Sequence, residues 1–194
     1  MNQLNIGAVV EGHGEVESLP ILIRRILAEV DPTTSVKIPP PIRKSRDSLI
    51  RPNELERAVE LAARRIDRKG AVVVVLDSDG DAPCQLGPQL LNRAQQAISL
   101  PVSVVLAHCE WEAWYVASAP SLAGYRGLKS PLASPTNPES IRGSKEWLSR
   151  NMTSNRQYSP VIDQPAFAAT FELHAARSAP SFDKLYRDIL SLLK

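Results

Sequence analysis

The sequence is short of cysteine, of long apolar runs and of net charge, and each shortage excludes something. Its two cysteines, Cys84 and Cys109, have neither metal-ligand spacing nor the density of a disulfide framework. No apolar stretch approaches the roughly 20 residues of a membrane-spanning helix. The opening "MNQLNIGAVVEG" lacks the basic start, long apolar segment and cleavage site of a secretory signal. A cytoplasmic, reduced protein without membrane association is therefore the expectation. The net charge of +2 is the remainder of 23 basic and 21 acidic side chains, so charge alone neither demands nor excludes a nucleic-acid partner. Two phosphate-binding signatures are also missing. "GHGEVES" has no Gly-Lys-Ser/Thr ending of a P-loop and no third glycine of a dinucleotide fingerprint.

What is present reads as one α/β unit. A length of 194 residues with 43% hydrophobic side chains suffices for one sizeable core. Residues 3–10 read as a first strand, followed by a Gly-rich turn and a helix ending near Val30, with Leu19, Leu22, Ile23, Ile26 and Leu27 at helical spacing. A second strand fits 35–38. The basic stretch "IRKSRDSLIRP" reads as a loop before a helix opened by Pro52-Asn53, whose apolar stripe is Leu55, Val59, Ala62 and Ile66. "AVVVVL" is uniformly apolar, as a central parallel strand covered on both faces must be. A helix at 85–99 and a buried strand at 101–108 continue the alternation, which argues for a parallel sheet. Residues 117–143 are rich in Pro, Ser and Gly and read as irregular, with helices expected at 144–150, 164–175 and 181–193. The division is thus 1–116 as an α/β core and 117–194 as an irregular segment and helical extension packed on it.

Acidic residues follow three of the expected strands: Glu11, then Asp77 and Asp79, then Glu110 and Glu112. In a parallel sheet the carboxyl ends of strands share one edge, where ligands bind at the switch in strand order. Carboxylates converging there repel unless a cation joins them. An isolated aspartate after a strand is commonly a helix cap, but Asp-x-Asp-x-Asp after an apolar run points to Mg²⁺ or Mn²⁺, held by carboxylates, water and phosphate oxygens. Glu15, four residues from Glu11 across the Gly turn, can join this cluster, and His13 in that turn is placed to touch substrate. "DSDGDAPCQLGP" is not a calcium loop, because glycine falls at position 4 and Pro88 stands where a bidentate glutamate is needed. Arg43, Lys44, Arg46 and Arg51, with Arg142, form a basic set suited to flanking phosphates or to plain solvation. Trp111 and Trp114 read as core.

The order strand-Glu-Gly, helix, strand-Asp-x-Asp resembles the TOPRIM domain of topoisomerases, primases and OLD-type nucleases. "VVEGHGEVESLPILIRRIL" is similar to the first TOPRIM motif and "VVVVLDSDGD" to the second. The blocks "HCEWEAWYVAS", "SKEWL", "YSPVIDQPAFA" and "SAPSFDKLYRDIL" resemble successive blocks of a stand-alone TOPRIM-like family, domain of unknown function 4276. The resemblance implies a TOPRIM-like (Rossmann-like), mainly parallel sheet flanked by helices with a helical C-terminal extension. It also implies two-metal cleavage of nucleic acid, assisted by a downstream lysine for which Lys145 is the candidate, and a partner ATPase in bacterial defence clusters. The catalytic set so implied is Glu11, Asp77, Asp79 and Lys145, with Glu11, Glu15, Asp77, Asp79, Glu110 and Glu112 as metal ligands. The chain departs from the larger nucleases in carrying no ATPase module.

Two alternatives stay open. A non-catalytic TOPRIM-fold subunit would bind a partner and use metal only structurally. An aspartate-dependent phosphatase would use Asp77 as nucleophile and Asp79 as acid/base in "DSDGD", although such enzymes carry that motif on the first strand.

Overall fold

The structure, a computed structural model, describes residues 3–153 and 156–192. The alternating strand and helix patterns of the N-terminal part give β1 (Leu4–Val10), α1 (His13–Val30), β2 (Val36–Lys37) and β3 (Ile42–Arg43). A single-turn α2 (Arg46–Leu49) and a longer α3 (Glu54–Arg65) lead to β4 (Ala71–Asp77), α4 (Pro83–Ala97) and β5 (Val102–Ala107). Then come α5 (Ala113–Ala117), three short 3-10 turns, α6 (Ser144–Arg150), α7 (Pro160–Thr170), α8 (Leu173–Ala176) and α9 (Pro180–Ser191).

All strand pairs are parallel, and the order is β2-β1-β4-β5. β3 joins the carboxyl half of β1, with Val9 opposite Ile42, on the side away from β4. The chain thus goes to one side of β1 for β2 and β3 and returns to its other side for β4. That reversal puts the switch point between β1 and β4, at the carboxyl ends that carry Glu11 and Asp77.

β4 is buried at all seven residues, and its alternation splits the core in two. Val73 and Val75 join Ile6, Ala8, Val10, Val105 and Ala107 on the face covered by α1 and by α5, α7 and α9. Val72, Val74 and Leu76 join Val9, Val104 and Leu106 beneath α3 and α4. Leu55, Val59, Ala62 and Ile66 are all buried in this second layer, as the stripe predicted. Asp77 continues the parity of Val73 and Val75, so its side chain enters the α1 side.

Several boundaries differ from expectation, for physical reasons. The basic loop after the triple proline contains β3 and α2, too short for any periodicity to reveal. The helix expected over 164–175 starts at Pro160 and breaks at Phe171, because Glu172 accepts hydrogen bonds from His174 N and Ala175 N and so caps a new turn. Arg25 of α1 donates to the Ala168 and Phe171 carbonyls, both at 2.8 Å, closing the end of α7. The expected end of the last helix at 193 lies outside the described residues.

Candidate active site

Glu11, Glu15, Asp77, Glu112 and Lys145 line one cavity of about 320 Å³ at the switch point, together with Gly12, His13, Gly14, Pro160, Val161 and Gln164. The turn between β1 and α1 is closed by Glu15, whose Oε2 accepts from Glu11 N at 3.0 Å. Close packing requires glycine at Gly14. A Cβ on Gly12 would stand 2.9 Å from Glu15 Oε1, and one on Gly14 would overlap Gln164 Oε1 and the Pro160 carbonyl of α7.

The three aspartates after β4 part company. Asp77 points inward: its Oδ1 accepts from Trp111 N at 2.7 Å and its Oδ2 lies 3.7 Å from Lys145 Nζ. Asp79 has φ of 50°, a left-handed conformation that aspartate tolerates better than most residues, and the chain direction reverses there. Its side chain is exposed and meets Arg46 Nε at 3.5 Å, and Asp81 pairs with the same guanidinium. Arg46 also donates to the carbonyls of Asp77, at 3.1 Å, and Ser78, at 3.3 Å. Arg46 is buried and fully engaged, which places it under the loop and not among free phosphate contacts.

Lys145 Nζ sits among three carboxylates, 3.6 Å from Glu110 Oε1, 3.6 Å from Glu112 Oε2 and 3.7 Å from Asp77 Oδ2. Glu110 also accepts from Lys145 N at 3.1 Å, and so anchors the start of α6 outside the cavity lining. Glu112 is fully buried, and its Oε1 accepts from Tyr158 OH at 3.0 Å. Among the described residues, Glu11 Oε2 and Glu112 Oε2 are buried without a hydrogen-bond partner. His13 is exposed on the rim. Arg43 and Arg142 are exposed elsewhere, and Lys44 pairs with Glu54.

Burial raises the carboxyl pKa values of Glu11, Glu15, Asp77 and Glu112. Desolvation pushes Glu15 up to about 7, helped by the charges of Glu112 and Glu11 and opposed by the Gly12 and Glu11 N–H groups. Asp77 is driven well above its ordinary value by burial and then by Glu15 and Glu112. Glu112 and Glu11 rise for the same first reason. For Lys145 burial acts downward, but the surrounding carboxylates, Glu112 and Asp77 foremost, outweigh it and raise its pKa.

The donor chemistry fits a hard divalent cation. Glu11, Asp77 and Glu112 offer carboxylate oxygens, two of them orphaned, and Mg²⁺ needs only one or two protein carboxylates beside water and phosphate. Among the described residues, no three His, Cys, Asp or Glu side chains already stand in ligand geometry, and the Lys145 ammonium lies between Asp77, Glu110 and Glu112. Tyr158, Gln164 and the Trp111 N–H were not foreseen as site components. Gln164 and Tyr158 sit on a sequence block far from any strand end, where spacing gives no clue.

Fold and site define an α/β protein with a parallel sheet and a carboxylate-lined cavity at its switch point. The family described as Domain of unknown function (DUF4276) matches residues 10–190, and the chain belongs to it. Neither curated proteins nor solved structures yield a match. No helix among the described residues is long and apolar enough to cross a membrane.

Proposed function

We propose that the cavity hydrolyses phosphodiester bonds of nucleic acid with bound Mg²⁺ or Mn²⁺, as a TOPRIM-type site related to that of OLD-type nucleases. The observation that carries this reading is the pair of buried carboxylate oxygens that accept no hydrogen bond, Glu11 Oε2 and Glu112 Oε2, the second 3.6 Å from the Lys145 ammonium, in one cavity with Asp77. Buried anionic oxygens without donors are costly, and a cation removes that cost.

Glu11, Asp77 and Glu112 would hold the metal. When bound, it would supply stabilisation of charge on the phosphate and a lower pKa for an attacking water. Trp111 N–H fixes one oxygen of Asp77 and so leaves the other for the metal or for Lys145. The ammonium of Lys145 offsets charge building on a phosphate oxygen. N–H groups of the first turn of α1, at His13 and Gly14, favour an anion at the cavity mouth. Arg43 and Arg142 remain free to meet flanking phosphates, and a partner ATPase would deliver the strand. The test is cleavage of labelled single- and double-stranded DNA and RNA with Mg²⁺ or Mn²⁺, wild type against Asp77→Asn, with and without a co-expressed ATPase. Equal cleavage by both proteins sinks the proposal.

One observation favours a second reading. Lys145 already neutralises part of the cluster, as it would in a non-catalytic partner-binding subunit. Absence of divalent binding by calorimetry at millimolar concentrations, together with stable complex formation with an ATPase, would select it.

A further inference from the structure

Residues 126–129 lie beside residues 150–153 at the end of α6. Leu128 and Met152 bridge antiparallel, Lys129 N donates to the Asn151 carbonyl at 2.8 Å, and Thr153 N donates to that of Gly127 at 2.6 Å. The two runs carry Arg126, Lys129 and Arg150 and no acidic residue. Lys129 Nζ donates to the Arg150 carbonyl at 2.7 Å, a neutral acceptor that leaves the ammonium charge uncompensated. The Arg150 side chain is exposed.

One buried carboxylate fastens this basic ribbon to α7. Asp163, fully buried, accepts from Arg126 Nε at 3.1 Å and from Arg156 through the same oxygen. Its other oxygen accepts from Ser159 N at 2.9 Å. Two guanidiniums on one carboxylate leave a positive charge over, and their side chains are 34% and 36% exposed. Arg126 also has φ of 47°. Residues other than glycine rarely take that left-handed conformation, and those that do gather at ligand-holding sites.

Apolar side chains stand beside this charge. Five large apolar side chains are exposed among the described residues, and three of them are here: Tyr125, Val161 at 62% and Ile162 at 59%. Val161 and Ile162 belong to the first turn of α7, and Val161 also lines the carboxylate cavity. The Tyr125 ring lies 6.2 Å from that of Phe167, which stacks at 5.8 Å on Tyr158, the residue that donates to Glu112. Two ring contacts thus lead from Tyr125 to a residue bonded to a carboxylate of the cavity.

We propose that the ribbon and the first turn of α7 hold single-stranded nucleic acid at the cavity mouth. Tyr125 stacks on an unpaired base, Val161 and Ile162 cover neighbouring base faces, and the surplus cations of the ribbon meet phosphates. The choice of occupant rests on the phosphodiesterase reading of the cavity, because whatever lies on Val161 also reaches the carboxylates. Uncompensated cations select a polyanion. Exposed apolar and aromatic surface beside them selects a strand with free base faces, since a duplex keeps its bases stacked on one another. This surface is separate from Arg43 and Arg142, whose phosphate contacts it would extend.

The test is fluorescence anisotropy of short labelled strands on the full chain in EDTA, where metal-dependent turnover is absent. The probes are single-stranded DNA and RNA of mixed sequence, an abasic strand of equal length and a duplex. The base-bearing single strands should bind at least about tenfold tighter than the abasic strand or the duplex. Tyr125→Ala should weaken their binding about five- to tenfold and leave the abasic strand unaffected. Arg150→Ala should lower the slope of log affinity against log salt by about 0.7 on every single strand. Should Tyr125→Ala fail to fold, Ile162→Asp sets a carboxylate at an exposed position against the strand and should weaken it by a similar factor. No binding, a duplex bound as tightly as the single strands, or folded variants that bind like wild type would each overturn the proposal. No binding together with a co-expressed ATPase that Ile162→Asp releases would make the face a protein interface instead. Cleavage is assayed separately with Mg²⁺. Its absence beside intact binding sinks the phosphodiesterase reading alone, whereas cleavage indifferent to these variants sinks the present proposal alone.

Discussion

Two regions flank the end of β4, and they handle like charges in opposite ways. On the outer side one guanidinium meets Asp79, Asp81 and the carbonyls of Asp77 and Ser78. Arginine presents several donors in a fixed fork, and both aspartates are exposed, so water screens the charge that one guanidinium leaves over. On the inner side a single ammonium serves Asp77, Glu110 and Glu112 at 3.6–3.7 Å. None of those contacts is a close hydrogen bond, and Glu11 Oε2 and Glu112 Oε2 are buried without accepting one. The difference separates holding a loop from awaiting a ligand. A closed network stabilises; an unfinished one, buried and acidic, is suited to a cation.

The largest test of that contrast is on the inner side. Asp77→Asn keeps the oxygen that accepts from Trp111 N while removing the charge. Metal-dependent cleavage should fall by at least about a hundredfold with the thermal midpoint held or raised, as read by a nuclease assay and a melt on the same sample. Loss of the fold instead would make Asp77 a structural residue like its neighbours.

The outer side should respond in stability alone. Arg46→Ala leaves two carbonyls without donors and two aspartates without a partner, and should cost about 2–4 kcal/mol in denaturant unfolding. A variant of normal stability but weakened nucleic-acid binding would return Arg46 to the phosphate-binding set in which its sequence position put it.

The inner side also predicts a pH signature. The native Glu15 carboxyl keeps its proton to about 7 against 4.5 unfolded, so between those values the folded state binds more protons. Stability of the metal-free protein therefore falls as pH rises through that window and levels off above it. Glu15 alone contributes on the order of 3 kcal/mol of this loss, and Asp77, Glu112 and Glu11 act in the same direction. Mg²⁺ competes with those protons, so the thermal midpoint should gain more from millimolar Mg²⁺ at pH 8 than at pH 5. An equal gain at both would mean that binding occurs elsewhere.

Legibility in the sequence was a matter of range. The uniform apolar run of β4 and the 3.6-residue stripes of α1 and α3 are local patterns, and they disclosed the parallel sheet and its edge of carboxylates. The split of the Asp-x-Asp-x-Asp run was not legible, because it depends on a left-handed Asp79 and on an arginine 31 residues before Asp77. Tyr158 and Gln164 were hidden for the same reason: Gln164 reaches the cavity through the packing of α7 on α1, and Tyr158, just before α7, meets Glu112 46 residues away, contacts that no helix's own periodicity encodes.

The smallest expected effect concerns the rim. Lys44 pairs with Glu54 at the surface, and exposed pairs contribute little to stability, so Lys44→Ala should leave the melt unchanged. If the basic stretch after β3 meets phosphate, the same variant should lower the slope of log affinity against log salt by about one unit for any nucleic-acid sequence. An unchanged slope assigns Lys44 to its glutamate and leaves Arg43 and Arg142 as the residues through which a nucleic acid would approach the cavity.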